Sequence, residues 1–139
     1  MRVLFDTNVV LDVLLDRQPY ADTAVQLLSL VDQGRIDGVV CATTITTIHY
    51  LASRAVGATE AARQVRELLA MFDVAAVDRG VVESAVKLGF DDFEDAVLHE
   101  AAVAAGASAI VTRNGADFAA AKLPIFDPME LLAAVLAAE

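Results

Sequence analysis

The sequence predicts an α/β fold: a single domain with a mostly parallel sheet of four or five strands and helices on both faces. Three observations carry this. Short apolar runs of strand-forming residues alternate with longer stretches of helical periodicity from Val3 to Leu136. The strand runs are apolar throughout rather than alternating, as strands covered on both faces require. The chain has 139 residues and is 57% hydrophobic, enough for one domain with a substantial core.

Val3-Leu4-Phe5 is the first strand, stopped by Asp6. Thr7 or Asn8 is placed to cap a helix with Val9, Val10, Val13 and Leu14 at helical spacing. Pro19 closes that region, and Tyr20 to Asp32 reads as a second helix with Gly34 as its terminator. Residues 38–42 are a second buried strand. Thr43-Thr44 would cap a third helix through Ile45, Ile48, Leu51 and Ala52, ending near Gly57. Thr59 to Met71 is a fourth helix with Ala62, Val65, Leu68 and Leu69 inward, and Val74 to Val77 is a third strand. Asp78 opens a helix through Val82 and Val86 that stops at Gly89.

A helix from Asp92 to about Ala105 precedes a fourth strand, Ala109 to Thr112. Asn114 to Phe118 reads as one helical turn. Leu123 to Phe126 is a fifth strand, confined to the edge by Pro124. Asp127-Pro128-Met129-Glu130 is a capping box with proline at the first helical position, launching a last helix to Ala138. No repeat, linker or low-complexity tail divides residues 1–139.

Composition narrows the setting. The single cysteine, Cys41, rules out an internal disulfide. Asp6 interrupts the first apolar run, so no signal peptide is expected. The apolar stretches Ala101 to Val111 and Leu131 to Ala138 are too short to span a bilayer. A soluble cytoplasmic protein is the expectation. The net charge of −10 argues against binding nucleic acid by bulk phosphate neutralisation. A polyanion would have to be reached through bound cations or a local basic patch. Eight of the ten positive residues are arginine, which suits bidentate phosphate contacts, and Arg113 and Arg17 are the candidates.

Acids gather where strands end. Asp6 follows the first strand, Asp91, Asp92, Glu94 and Asp95 open a late helix, and Asp117 follows the fourth strand and its Thr112-Arg113-Asn114 turn. Ligands in open α/β sheets bind at that edge. Two carboxylates about 4 Å apart repel by roughly 4 kcal/mol at an effective dielectric near 20. Such acids protonate, separate or hold a cation, and oxygen ligands from several segments suit Mg²⁺ or Mn²⁺. Ordinary structural roles compete. Asp91 and Glu94 form a capping box pattern, Asp92 suits the helix dipole, and Phe93, Ala96 and Val97 point to the core. Asp12 and Asp16 read as solvated. His49 and His99 lack zinc-site spacing.

Asp6-Thr7-Asn8 after an N-terminal strand, Asp95-Ala96 opening a helix of small residues, and Val111-Thr112-Arg113-Asn114 followed by Asp117-Phe118 together resemble the PIN-domain family. The match in order and spacing covers essentially the whole chain. Its nearest branch is the VapC-type toxins of bacterial toxin–antitoxin pairs. The resemblance implies a metal-dependent ribonuclease using Mg²⁺ or Mn²⁺, with Asp6, Asp95 and Asp117 as metal-binding carboxylates. Asn114 would be a polar neighbour and Thr112 a supporting hydroxyl. It also implies an RNA substrate, a homodimer and a cognate antitoxin protein.

One position departs from the pattern. The family's usual glutamate on the helix after the second strand is here Thr47, in Thr47-Ile48-His49-Tyr50. Asp92, one turn before Asp95, is the candidate replacement. Without one, the alternative is a weak or inactive PIN-like module that binds RNA or protein. A haloacid-dehalogenase phosphatase would need an aspartate where Asn8 stands, and a response-regulator receiver would need an early acid pair that is missing.

Overall fold

A computed structural model describes residues 1–138. Their strands are β1 (Arg2–Phe5), β2 (Asp37–Cys41), β3 (Asp73–Ala75), β4 (Ala109–Val111) and β5 (Ile125–Phe126). They form one sheet in the order β3-β2-β1-β4-β5, with every pairing parallel. The helices are α1 (Thr7–Leu14), α2 (Ala21–Asp32), α3 (Ala42–Val56), α4 (Ala58–Met71), α5 (Arg79–Leu88), α6 (Phe93–Ala104) and α7 (Pro128–Ala137). A 3₁₀ turn, Gly115–Phe118, lies between β4 and β5. Among the described residues, no helix is long and apolar enough to cross a membrane.

The alternation of strand side chains builds two cores, one on each face. Val3 and Phe5 of β1, Val40 of β2, and Ala109 and Val111 of β4 pack with residues of α1, α2, α3, α4 and α7. Leu4, Val39, Cys41 and Ile110 face the other way, against α5, α6 and Phe118. Strand β1 is central and fully covered, which explains its unbroken apolar run. The segment after β1 turns onto one face and the segment after β4 onto the other. Their divergence opens a crevice between the carboxyl ends of β1 and β4, the switch point where α/β sheets bind ligands.

Local chemistry departs from the sequence expectation at several helix starts. Asp6 itself caps α1, its side chain accepting from the Thr7 N–H, so neither Thr7 nor Asn8 serves as cap. Helix α3 starts at Ala42 with no side-chain cap, and Thr43 and Thr44 lie inside it. Asp92, not Asp91, caps α6, accepting from Asp95 N at 3.2 Å, so the Asp91–Glu94 box is not formed. Residues 91–94 are all exposed, and Phe93, first in the helix, points to solvent. Helix phase differs too. Asp78 accepts from Val81 N, fixing Val81 and Ala85 as the buried face of α5 and leaving Val82 and Val86 outside. In α4 the buried face is Ala61, Gln64 and Leu68, with Leu69 exposed. The capping box at Asp127 and Glu130 forms as expected.

Gly38 controls how closely the helical layer approaches β2. A Cβ there would lie 2.7 Å from Phe72 Cε1 and 2.8 Å from Val31 Cγ1. Phe72 in turn packs edge-on against Phe5, with ring centroids 5.1 Å apart. Gly38→Ala is therefore expected to destabilise the protein by about 1–3 kcal/mol through overpacking. Urea unfolding of the two proteins measures it.

Candidate active site at the carboxyl end of the sheet

Asp6 continues β1 by one residue, its N–H donating to Val111 O at 3.0 Å. This fixes the carboxylate at the mouth of the crevice, where it is only 8% exposed. Its oxygens are satisfied locally. Thr112 Oγ1 donates to Oδ2 at 2.7 Å, and the Thr7 N–H donates to Oδ1 at 2.7 Å. Thr112 Oγ1 also accepts from Asn114 N at 3.1 Å, so one hydroxyl ties Asp6 to the turn after β4. Burial raises the Asp6 pKa, opposed by the bonds from Thr112 and Thr7; the charges of Asp117 and Asp92 push it further up.

The other sequence-predicted acids share its field. Asp95, in the first turn of α6, has its pKa pushed up to about 7. Desolvation is the main cause, followed by repulsion from Asp92, Asp6, Asp117 and Glu94. Carboxylates from three separate segments are thus brought within mutual electrostatic reach at one edge of the sheet. Asp92 lies in this field while its Oδ1 serves as the α6 cap. Among the described residues, no three His, Cys, Asp or Glu side chains are gathered closely enough to form a ready metal cage. The donors are oxygens only and the charge is in excess, the chemistry that a hard divalent cation matches.

Asn114 is exposed beside the cluster, and its backbone O accepts from Asp117 N at 3.0 Å. The 3₁₀ turn so formed carries Asp117, also exposed. His99 braces the next segment. It is fully buried on α6, and its Nε2 accepts from Lys122 N at 3.1 Å. A backbone N–H can only donate, so the ring proton sits on Nδ1, 3.0 Å from Glu100 Oε2. Thr47 stands on α3, where its hydroxyl donates to Thr43 O at 3.2 Å. Its neighbour Thr44 is buried and bonds Thr7 Oγ1 at 3.0 Å, joining α3 to the start of α1.

Asp12 was expected in solvent and is instead completely buried. It accepts from Arg17 Nε at 2.9 Å, and from Arg113 Nε at 2.7 Å and Nη2 at 3.1 Å. Two guanidinium groups on one carboxylate offset the desolvation that otherwise expels a charge from the interior. Both arginines also hold Asn8: Arg17 Nη2 donates to Asn8 O at 3.1 Å, and Arg113 N donates to Asn8 Oδ1 at 3.3 Å. Arg113 stacks on Tyr20, its Cζ 3.9 Å from the ring centroid. Helical periodicity could have flagged Asp12, one turn from Asn8 and flanked by Leu11 and Val13, but its two cations are distant or in a turn.

A sequence model described as "PIN domain" matches residues 2–116, and the chain belongs to that family. Among functionally curated proteins no match is found. Solved structures share the fold. A toxin–antitoxin complex from Klebsiella pneumoniae is 22% identical, covering 91% of this chain and 97% of its own, with a TM-score of 0.69. VapBC-1 from nontypeable Haemophilus influenzae is 16% identical, with coverage of 93% and 99% and a TM-score of 0.71. Mycobacterium tuberculosis VapC20, described as a sarcin–ricin loop cleaving toxin, is 16% identical, with coverage of 78% and 86% and a TM-score of 0.63.

Two outcomes follow from this geometry. Asp12→Ala strands Arg17 and Arg113, and is expected to cost about 3 kcal/mol in chemical denaturation. That is the low end for a broken buried pair, because both guanidinium groups keep access to water. The second concerns pH. Between the ordinary aspartate value and about 7, the native protein retains a proton on Asp95 that the unfolded chain has released. Stability of the cation-free protein therefore falls as pH rises through this window. Asp95→Asn should flatten the decline, as thermal melts from pH 4.5 to 8 would register; an unchanged slope contradicts the assignment.

Proposed function

We propose that this PIN-domain protein is a metal-dependent ribonuclease, the toxin of a toxin–antitoxin pair. The observation that carries the reading is the shared electrostatic field of Asp6, Asp95 and Asp117, with Asp92, acids from three segments at the carboxyl edge of the sheet. Asp6, Asp95 and Asp117 are the proposed holders of one or two Mg²⁺ or Mn²⁺ ions, with Asp92 in the place of the acid absent at Thr47. Bound there, a divalent cation lowers the pKa of water and offsets charge building on the scissile phosphate.

The chain's own groups have distinct parts in this reading. Thr112 and the Thr7 N–H hold the Asp6 carboxylate in one orientation. Asn114, exposed at the rim, orients a phosphate oxygen or a water. Arg113 and Arg17 face phosphate through Nη1, which among the described residues has no hydrogen-bond partner in either side chain. Asp95, whose pKa lies near 7, releases its proton when a cation binds.

The partner assignments rest on likeness. The neighbour from Klebsiella pneumoniae is a toxin–antitoxin complex, that from Haemophilus influenzae is VapBC-1, and VapC20 is described as cleaving the sarcin–ricin loop. A small antitoxin that places an arginine or lysine in the acidic crevice would compete with the cation for the same charge. A homodimer in the cytoplasm is the proposed resting form of the free toxin.

The competing reading is a PIN module without activity, favoured by Thr47. Cation titration separates the two. In the nuclease reading, Mn²⁺ stabilises the native fold by about 2.7 kcal/mol at a hundredfold excess over Kd, and RNA cleavage requires Mn²⁺ and stops with a chelator. Asp6→Asn should abolish cleavage, and Asp95→Asn should shrink the Mn²⁺ shift in Tm while leaving the folded state intact. No Tm shift at millimolar Mn²⁺, or cleavage that survives both chelator and Asp6→Asn, overturns the proposal.

A further inference from the structure

Beside the acidic crevice lies a groove of about 490 Å³ whose lining includes Tyr20, Thr23, Arg113, Asn114, Asp127 and Met129. We propose that it is a nucleobase subsite, receiving one unpaired RNA nucleotide next to the phosphate at the acidic cluster. The assignment builds on the ribonuclease reading above.

Four features support it. First, the volume and mixed lining suit a small planar ligand, with apolar walls and few polar groups. Second, Tyr20 is 45% exposed although Arg113 covers one face of its ring. An exposed aromatic already pinned by a cation is a rigid stacking platform, and stacking tolerates any base. Met129, 72% exposed in the same lining, supplies an adaptable apolar contact. Third, the charge is right. Arg17 and Arg113 share a single carboxylate, Asp12, so the three groups carry a net positive charge in a chain whose total is −10. Asp127, also in the lining, has Oδ1 engaged by Glu130 N at the start of α7, and the Arg17–Arg113–Asp12 group leaves this side less negative than the acidic cluster, so an anionic strand is favoured here over there.

Fourth, the groove borders the turn that leads to Asp117. Arg113 and Asn114 line it, and Asn114 N bonds Thr112 Oγ1, which donates to Asp6. A nucleotide seated against Tyr20 thus lies along the same turn that positions Asp6 and Asp117. The Tyr20–Arg113–Asp12 stack fixes where that nucleotide sits, whichever base it carries.

The test is direct, because the chain has only two tyrosines and no tryptophan. Adenosine 5′-monophosphate and ribose 5-phosphate are titrated into the chelator-treated protein while tyrosine emission and binding heat are followed. Omitting the cation keeps the result independent of cleavage: base binding without Mn²⁺-dependent cleavage supports the subsite and sinks the nuclease, and the converse sinks only the subsite. The nucleotide is expected to quench emission and to bind more tightly than ribose 5-phosphate. Tyr20→Leu should weaken it by roughly five- to 150-fold. Thr23→Trp, which fills the groove and leaves the Arg113–Asp12 pair in place, should abolish the preference for the base. Equal binding of the two probes, or a nucleotide affinity unchanged in both variants with native-like Tm, overturns the proposal and leaves the groove to a protein partner.

Discussion

The structure depends on keeping one carboxylate, Asp6, nearly out of water at the end of the central strand. An unpaired charge there would be expelled or neutralised. Thr112 provides the answer from the neighbouring strand, donating at 2.7 Å across the switch point. That bond requires β1 and β4 to end level, as the Phe5–Val111 register ensures. The same hydroxyl accepts from Asn114, which turns the chain into the 3₁₀ segment bearing Asp117. One satisfied carboxylate therefore sets the ends of two strands, the start of α1 and the position of a second acid.

A second buried carboxylate performs the opposite electrostatic task. Asp12 draws Arg17 and Arg113 inward, and through them fixes both the backbone and the side chain of Asn8. The mouth of the sheet is divided by this arrangement. One side holds carboxylates with raised pKa values, and the other a guanidinium pair that one acid only half neutralises. A strongly acidic protein can then face a polyanion at one place without becoming basic overall. Local field at the site, rather than net charge, governs such an encounter.

Much of this was legible in the sequence, and the limits have physical causes. Strand and helix order from Val3 to Leu136, the edge position forced by Pro124, and the box at Asp127 and Glu130 rest on local rules, and the structure follows them. Asp6, Asp95 and Asp117 could be singled out because strand ends and helix starts are readable, and the structure places them in one electrostatic field. Helix phase was harder. Val82 and Val86 are as apolar as Val81, and only the Asp78 cap decides which valine turns inward. Asp12 was misread because its partners lie 5 and 101 residues away, and the more distant contact exists only once β4 lies beside β1. Phe93 was misread because the cap falls at Asp92 rather than one residue earlier.

Thr47, where the family resemblance implies an acid, is neutral and accommodated within α3. Its hydroxyl is satisfied within α3, and Thr44, one turn back, makes the tertiary bond to Thr7. The α3 side of the crevice is thus held by neutral hydroxyls, and no buried charge there demands a counterion. The remaining carboxylates come from β1, α6 and the turn after β4. Of these, Asp92 already has one oxygen committed to capping α6. A cation drawn to this cluster would gather ligands mainly from the β1–β4 side of the crevice, where Asn114 and the Arg113 stack also lie. In the proposed reading, cation binding and strand recognition would be neighbours on a single turn, Thr112 to Asp117, so that one short segment of chain would carry both.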